Sequence, residues 1–188
     1  MNWKVILFIA LIAYGGYQHF HQSNPNQFIV SQPSTEGVVN IKGYHITPLE
    51  PFDLHARVLS SKQYNSDKEA DLVPVDLALG WGPMANLSIS NQVKVTQSNR
   101  WYHWRVDTFP IPRREIETNS ANMHLIPASP AIAEAIQSVK VGQMVRFSGD
   151  LVEVVDPAKG WRWKSSLTRN DTGAGACELI LVKSFTVL

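Results

Sequence analysis

Residues 129–155 read SPAIAEAIQSVKVGQMVRFSGDLVEVV and join a clear helix pattern to a strand pattern. Ser129 can cap a helix over residues 129–142, and Pro130 suits its first position. One face of this helix is apolar, and Gly142 is expected to end it. The following segment, 143–155, has the length and β-branched composition of a strand. A helix that leads directly into a long strand reduces the number of small β folds that fit the sequence.

The rest of residues 54–188 predicts further strands. Alternating or β-rich patterns mark residues 54–64, 71–81, 92–106, 160–167 and 177–187. The predicted fold class is therefore mainly β with one helix. The order of three strands, a helix and further strands resembles the OB fold, a five-stranded and partly open barrel. This resemblance covers about residues 54–187 and implies a small OB-like β-barrel; another small barrel or a sandwich is the alternative.

Residues 3–20 predict a membrane segment. Residues 3–17 read WKVILFIALIAYGGY and carry one charge, that of Lys4. The apolar run is shorter than the roughly 20 residues that cross a bilayer comfortably, so a cleaved signal peptide is the alternative. Aromatic residues at both ends suit an uncleaved anchor: Trp3, Tyr14, Tyr17 and Phe20. We therefore predict a transmembrane helix within residues 1–20.

The distribution of positive charge predicts where the domain lies. Lys4 and the amino terminus precede the apolar run, and no Lys or Arg follows it until Lys42. The positive-inside bias then predicts a single-pass protein of a bacterial inner membrane, with a cytoplasmic amino terminus and a periplasmic domain. In this scheme residues 21–53 form a tether with leading strands, and residues 54–188 form the OB-like domain.

Several strings between residues 78 and 179 resemble those of uncharacterised membrane-anchored bacterial proteins. They are ALGWGPMAN, RWYHWR, NSANMHLIPA and GWRWKSSLTRNDTGAGACEL. The resemblance implies an exported bacterial protein and no particular activity.

Composition limits the possible functions. With 188 residues, 44% hydrophobic content and a net charge of +1, the chain is typical of one globular domain, and its charge does not suit a general nucleic-acid binder. The single cysteine, Cys177, excludes an internal disulfide and a multi-cysteine zinc site. We expect Cys177 to act as a small buried apolar residue. No motif for a cofactor or a metal is present, so none is expected.

The segment KGWRWKSSLTRNDTGAG, residues 159–175, concentrates tryptophans and cations. On a strand, Trp161 and Trp163 share one face, while Arg162 and Lys164 share the other. Either the tryptophans cover the sheet and the cations face water, or the rings stack on a ligand beside the cations. Arg169 and Asp171 follow in a glycine-containing turn and complete this candidate binding segment.

A second candidate binding segment covers residues 99–124. Arg100 and Arg105 flank the aromatic run of residues 101–104, and Asn122 and His124 lie in residues 116–128, which are expected to form a long polar loop. His103 or His124 could act as a base beside Asp107, Glu117 or Asp171. The sequence lacks the glycines of a nucleophile elbow, so no catalytic residue is assigned.

The favoured function is a non-enzymatic binding module of the bacterial envelope. Its partners would be the membrane, through residues 3–20, and another envelope protein or envelope ligand. The predicted binding residues are Arg100, Arg105, Asn122, His124, Trp161, Arg162, Lys164, Arg169 and Asp171. An envelope hydrolase that uses His103 or His124 is one alternative. An OB domain that binds single-stranded nucleic acid is the other, although a nucleic-acid partner is not expected.

Overall fold

A computed structural model describes residues 37–168 and 177–188 of the protein. The described chain is mainly β, with few helices. Its strands are β1 (Val39–Ile41), β2 (Tyr44–Gln63), β3 (Val75–Gly80), β4 (Lys94–Ser98), β5 (Trp101–Arg105), β6 (Ser120–Pro127), β7 (Met144–Asp156), β8 (Trp161–Lys164) and β9 (Glu178–Val187). The helices are α1 (Leu87–Ser90), α2 (Arg113–Thr118) and α3 (Pro130–Ser138), with a 3₁₀ turn at Gly82–Ala85.

One large sheet organises the domain around the long strand β2. The order of its strands is β1-β2-β3-β6-β9-β7-β8, and β2 also pairs with β7. All its pairings are antiparallel except that of β6 with β9. The pairing therefore runs from β2 through β3, β6, β9 and β7 and returns to β2. β4 and β5 form a separate antiparallel hairpin.

The main core lies on one face of these strands. Leu77 of β3, Met123 of β6 and Phe147 of β7 are fully buried within it. The helix α3 covers part of this core with Ile136, and the Ser129 hydroxyl accepts a hydrogen bond from the Ile132 N–H at the start of that helix. The predicted cap and apolar face are confirmed, although the helix ends at Ser138, before Gly142.

A second apolar cluster lies on the opposite face of β6 and β9. It contains Ile126 of β6 and Leu179 of β9, and Trp161 and Trp163 of β8 pack against it. Strands β6 and β9 are consequently buried on both faces. In β6 every residue from Ser120 to Ile126 is buried, and in β9 every residue from Glu178 to Val182 is buried. Such strands lack the alternation of apolar and polar residues that marks a half-exposed strand.

Gly149 allows β7 to bend where its register with β9 shifts, between Ser148 and Gly149. A Cβ atom at this position would lie 1.9 Å from the carbonyl oxygen of Leu181. Because that contact is with backbone, no side-chain movement could relieve it. Glycine is therefore required at the bend.

The prediction for residues 116–128 was wrong, because these residues, expected as a polar loop, form the end of α2 and the buried strand β6. Residues 92–106 were expected as a strand broken by a bulge or turn. The turn is confirmed, but the two strands that it joins form the β4–β5 hairpin outside the large sheet. Counted along the chain from β2, the third strand of the large sheet is therefore β6. The helix predicted at 129–142 is also not the single helix, because α1 and α2 precede it.

The described residues bear on only part of the predicted domain organisation. β2 runs without interruption across residues 53 and 54, where the tether was predicted to meet the folded domain. Within residues 37–168 and 177–188, no helix is long and apolar enough to cross a membrane. The predicted anchor at residues 3–20 lies outside the described residues.

Candidate functional site

Three polar side chains occupy the face of β3 and β6 that points away from the main core. Asp76 is fully buried on β3, and Asn122 and His124 are 1% and 2% exposed on β6. Asp76 and His124 are directly opposite each other in the strand register. We call this group the polar face. Because buried polar groups are costly unless they are paired, its contacts define the structure around it.

Arg100 neutralises the buried carboxylate of Asp76. Its Nη1 donates to Oδ1 of Asp76 and to the carbonyl oxygen of Val73, both at 2.9 Å. Nε and Nη2 donate to the two carboxylate oxygens of Asp67 at 2.9 and 2.7 Å, a two-pronged ion pair. Burial opposes the charge on the guanidinium, but Asp67 and Asp76 outweigh it and raise the pKa of Arg100. Arg100 therefore stays charged and links the loop after β2 to β3.

The hairpin turn between β4 and β5 presents Arg100 at this position. Asn99 and Arg100 have φ values of 51° and 67°, as in the tight two-residue turns that suit twisted hairpins. A positive φ is unfavourable for arginine. The contacts of the Arg100 side chain hold the turn in place. The backbone N–H of Arg100 adds to them, because it donates to the Tyr64 hydroxyl at 3.1 Å. Its guanidinium also lies 3.7 Å from the centroid of the Tyr64 ring.

The same hairpin contacts Asn122 and Ser120 of β6. Gln97 Nε2 donates to Asn122 Oδ1 at 2.6 Å, and Asn122 Nδ2 donates to the carbonyl oxygen of Arg100 at 3.0 Å. The Tyr102 hydroxyl donates to the carbonyl oxygen of Ser120 at 3.1 Å. Asn122 is therefore a structural link between strand and hairpin, and it closes one end of the polar face.

His124 lies between a carboxylate and a thiol. Its Nδ1 is 2.9 Å from Oδ1 of Asp76, within ion-pair distance but outside hydrogen-bond geometry. Burial lowers its pKa, but Asp76 and the hydrogen-bonding neighbour Cys177 outweigh burial and raise the pKa to about 9. The imidazole therefore carries a proton at neutral pH. Its ring also packs on Trp163, with centroids 4.7 Å apart.

A cavity of about 690 Å³ opens beside His124. Four parts of the chain line it: the segment after β2, the β4–β5 turn, β6, and β8 together with Cys177 just before β9. Aromatic and charged side chains dominate the wall. The lining residues are Tyr64, Ser66, Asp67, Glu69, Asn99, Arg100, Trp101, His124, Trp161, Arg162, Trp163, Lys164 and Cys177. A volume of this size is within the usual range for small-molecule sites.

Strand β8 places its tryptophans and cations on opposite faces, as the sequence predicts. Trp161 and Trp163 are partly buried, and their ring centroids are 5.8 Å apart. Arg162 forms an ion pair with Glu153 of β7, whereas Lys164 is exposed and has no salt bridge among the described residues. The tryptophans cover the second apolar cluster and also border the cavity. The covering role that the sequence left open is therefore present in the structure, and stacking of the rings on a ligand stays a prediction.

The structure brings together most of the predicted binding residues. Five of them line the cavity: Arg100, His124, Trp161, Arg162 and Lys164. Asn122 does not line it but donates a hydrogen bond to the carbonyl oxygen of Arg100. Arg105 is exposed at the far end of β5 and does not line the cavity. Arg169 and Asp171 lie outside the described residues. Their role in binding remains a prediction.

Two of the three carboxylates proposed as partners of a catalytic histidine lie away from the cavity. Asp107 is exposed and pairs with Lys94, and Glu117 pairs with Arg113 within α2. His103 is exposed on the hairpin and does not line the cavity. The carboxylate beside His124 is Asp76. Asp171 lies in the undescribed segment.

Sequence reasoning missed several residues of the site. Asp76 falls within the strand predicted at residues 71–81 and was given no role, Tyr64 ends the strand predicted at residues 54–64, and Asp67 and Glu69 were not assigned to any element. Cys177, expected to be buried, is partly exposed and lines the cavity. A sequence signal for Asp76 was available in the alternation of side chains along β3, which places Asp76 on the face opposite Leu77. In the described chain, no three His, Cys, Asp or Glu side chains are placed to hold a metal ion.

The raised pKa of His124 predicts how stability depends on pH. The folded pKa of about 9 lies above the ordinary value of 6.5, so the contribution of His124 is complete below about pH 6.5 and is lost as the pH rises through 9. We expect the free energy of unfolding to fall over this interval, and His124→Gln to remove that part of the slope. Urea denaturation at a series of pH values measures how the free energy of unfolding depends on pH. His103→Gln is the control, and equal slopes for wild type and His124→Gln would contradict the assignment.

Comparison of the chain with protein-family models, with curated proteins and with solved structures found no match. The functional argument therefore depends on the geometry of the polar face and its cavity.

Proposed function

We propose that this protein is a membrane-anchored periplasmic binding module, in which an OB-like barrel presents the cavity beside His124 to a small envelope ligand. The observation that carries the proposal is the cavity itself. Segments far apart in sequence converge there and contribute aromatic rings, cations and carboxylates to its lining. Membrane attachment and export are supported by the apolar residues 3–20 and by the placement of Lys4.

The strand pairing supports the OB-like part of the proposal. β2, β3, β6, β7 and β9 pair in a ring, and α3 lies between the third and fourth of these strands in chain order. The OB fold is a five-stranded, partly open barrel that binds ligands on the face of its second and third strands, between two loops. The corresponding strands here are β3 and β6, which carry the polar face. The flanking segments would be residues 64–74, which link β2 to β3, and residues 157–168, which follow β7.

The cavity wall supports a ligand that has both a ring and an acidic group. Trp101 is 41% exposed, and Trp161 and Trp163 also border the space. Exposed aromatic faces suit flat ligand surfaces such as those of sugar rings. The amine of Lys164 has no salt bridge in the described chain and can pair with an anion. Arg100 is already held by Asp67 and Asp76, so we assign it to the architecture of the site.

Muramic-acid glycans combine sugar rings with carboxylates, and they are present in the bacterial envelope. We therefore expect the full chain, in detergent, to bind soluble peptidoglycan fragments released by a muramidase. Trp101→Ala and Lys164→Ala should each weaken binding by about 1 kcal/mol, or about fivefold in Kd, because each removes one ligand contact. Isothermal titration calorimetry measures these affinities.

Arg105→Ala is the matched control, because Arg105 is exposed on the same hairpin as Trp101 but outside the cavity. Its Kd should equal that of wild type. No binding of the fragments by the folded wild type would contradict this ligand class. Tighter binding of a single-stranded oligothymidylate, with an affinity that falls steeply as salt is added, would favour the nucleic-acid alternative instead.

The predicted location has a separate test. Alkaline phosphatase needs disulfides that form in an oxidising compartment, so fusion of this enzyme after residue 27 should give active phosphatase in a bacterial host. Ile9→Arg places a charge within the apolar run and should abolish the activity, since a charge near the middle of such a segment costs about 2.5–3.5 kcal/mol. An inactive wild-type fusion would contradict export.

A further inference from the structure

Strand β8 has one paired edge and one open edge. It ends the large sheet, and within the described chain it pairs with β7 alone. The N–H of Ser165, just after β8, donates to a carbonyl oxygen of β7 at 2.9 Å. Hydrogen-bonded pairs alternate along antiparallel strands, so Trp163 and Trp161 also direct their backbone groups to β7. The N–H and C=O groups of Arg162 and Lys164 therefore point away from β7.

These outward backbone groups border the cavity. All four residues of β8, Trp161 to Lys164, line that space. Successive side chains of a strand point to opposite faces, so a space that touches all four lies along the edge of the strand and not over one face. In the part of the chain that the structure describes, nothing hydrogen-bonds the outward N–H and C=O groups of Arg162 and Lys164. The cavity therefore contains an open strand edge.

The same row of backbone groups is already used one step further along the chain. Ser166 is the next residue that points outward, and its N–H donates to the carbonyl oxygen of Cys177 at 3.1 Å. Backbone pairing on the outer edge therefore starts at Ser166, and Lys164 and Arg162 continue the row of donors and acceptors into the cavity.

We propose that the open edge of β8 binds an extended acidic segment of a partner protein, which joins the sheet as an additional strand. In this mode of recognition, main-chain hydrogen bonds provide affinity and alternate side chains provide specificity. A strand added at the usual spacing of about 4.8 Å would lie in the cavity, whose volume is about 690 Å³. The inference goes beyond the proposed small ligand, because it depends on the backbone of β8. The two partners would exclude each other from one space.

The side chains of β8 determine which segment fits. Residues of the added strand that lie opposite Arg162 and Lys164 would share their face of the sheet, at every second position. Lys164 has no salt bridge in the described chain, and Arg162 pairs with Glu153. Carboxylates opposite these cations would be stabilised. The residue between them would lie beside Trp163, so an apolar side chain is expected there.

The carboxylates on the other side of the cavity do not cancel this attraction. Asp67 is paired with Arg100, and Glu69 lies 3.7 Å from the amine of Lys68. Both negative charges are thus balanced by cations of their own. Lys164 is left to pair with a carboxylate that enters the cavity.

Other occupants suit this edge less well. A second copy of β8 would bring Arg162 and Lys164 close to like charges, which destabilises strand pairing. Charged residues on open edges commonly prevent such self-association. Residues 28–32 of the chain itself, FIVSQ, carry no charge. Charge complementarity therefore favours an acidic segment of another protein.

The test measures binding of fluorescein-labelled peptides to the full chain in detergent, by fluorescence anisotropy. The first peptide, GVEVEVG with blocked ends, alternates two glutamates with valines, and we expect it to bind saturably. GVKVKVG should bind about tenfold more weakly, because each lysine replaces an attraction by a repulsion.

N-methylation of the peptide separates backbone pairing from side-chain attraction. Methyl groups on both glutamate nitrogens remove the N–H groups that would donate to carbonyl oxygens of β8, and binding should weaken about tenfold or more. Methyl groups on the nitrogens of the first two valines are the matched control. Those N–H groups would point away from β8, so Kd should change less than about twofold.

Two variants of Lys164 test the edge from the side of the protein. Lys164→Pro removes a backbone N–H that faces away from β7, so the pairing of β7 with β8 is kept. It should weaken binding of GVEVEVG more than Lys164→Gln, which removes the charge alone. Arg105→Gln is the control, because Arg105 is exposed outside the cavity, and its Kd should equal that of wild type.

The proposal is overturned if GVEVEVG shows no saturable binding up to about 1 mM, a result that would leave the edge to another segment of this chain or to a second copy. It is also overturned if methylation at the glutamates and at the valines has equal effects, or if GVKVKVG binds as tightly as GVEVEVG. These comparisons use wild type, so they decide even if Lys164→Pro does not fold. No glycan is present, so failure here is distinct from failure of the proposed ligand binding.

Discussion

The buried carboxylate of Asp76 determines how the surroundings of β3 and β6 are arranged. A carboxylate without exposed surface is tolerated only when cations and hydrogen-bond donors surround it. Arg100 supplies the cation from a hairpin turn, and His124 lies within ion-pair distance on the adjacent strand. Removal of either partner would leave charge buried in a poorly solvating environment. The position of the hairpin and the charge of the imidazole therefore depend on this one group.

The cavity is a consequence of the same constraint. Arg100 reaches Asp76 only if the β4–β5 turn lies over β3, and its contact with Asp67 then draws the segment after β2 to the same place. Strand β8 forms the opposite wall, because Trp161 and Trp163 must cover the second apolar cluster. The space between these walls is bordered by groups that already serve the fold. Lys164 and Trp101 remain available to a ligand.

The sequence predicted the parts of the fold that depend on local patterns. The helix at residues 130–138 has a cap, a proline and an apolar face, and β8 alternates visibly, so both were predicted correctly. β6 was missed because it is buried on both faces and carries Ser120, Asn122 and His124, which resemble a loop. Those polar residues are stable in a strand only through partners distant in sequence, such as Gln97 and Arg100. The candidate site was foreseen at Arg100, His124 and β8, whereas the need for Asp76 depends on a contact that no local pattern reports.

A double-mutant cycle on Asp76 and Arg100 tests the central claim most directly. The free energy of unfolding would be measured by urea denaturation for wild type, Asp76→Asn, Arg100→Gln and the double variant. If the buried pair organises the site, the two substitutions are strongly coupled, with an interaction energy of about 2 kcal/mol or more. Additive effects, with a coupling below about 0.5 kcal/mol, would contradict this account.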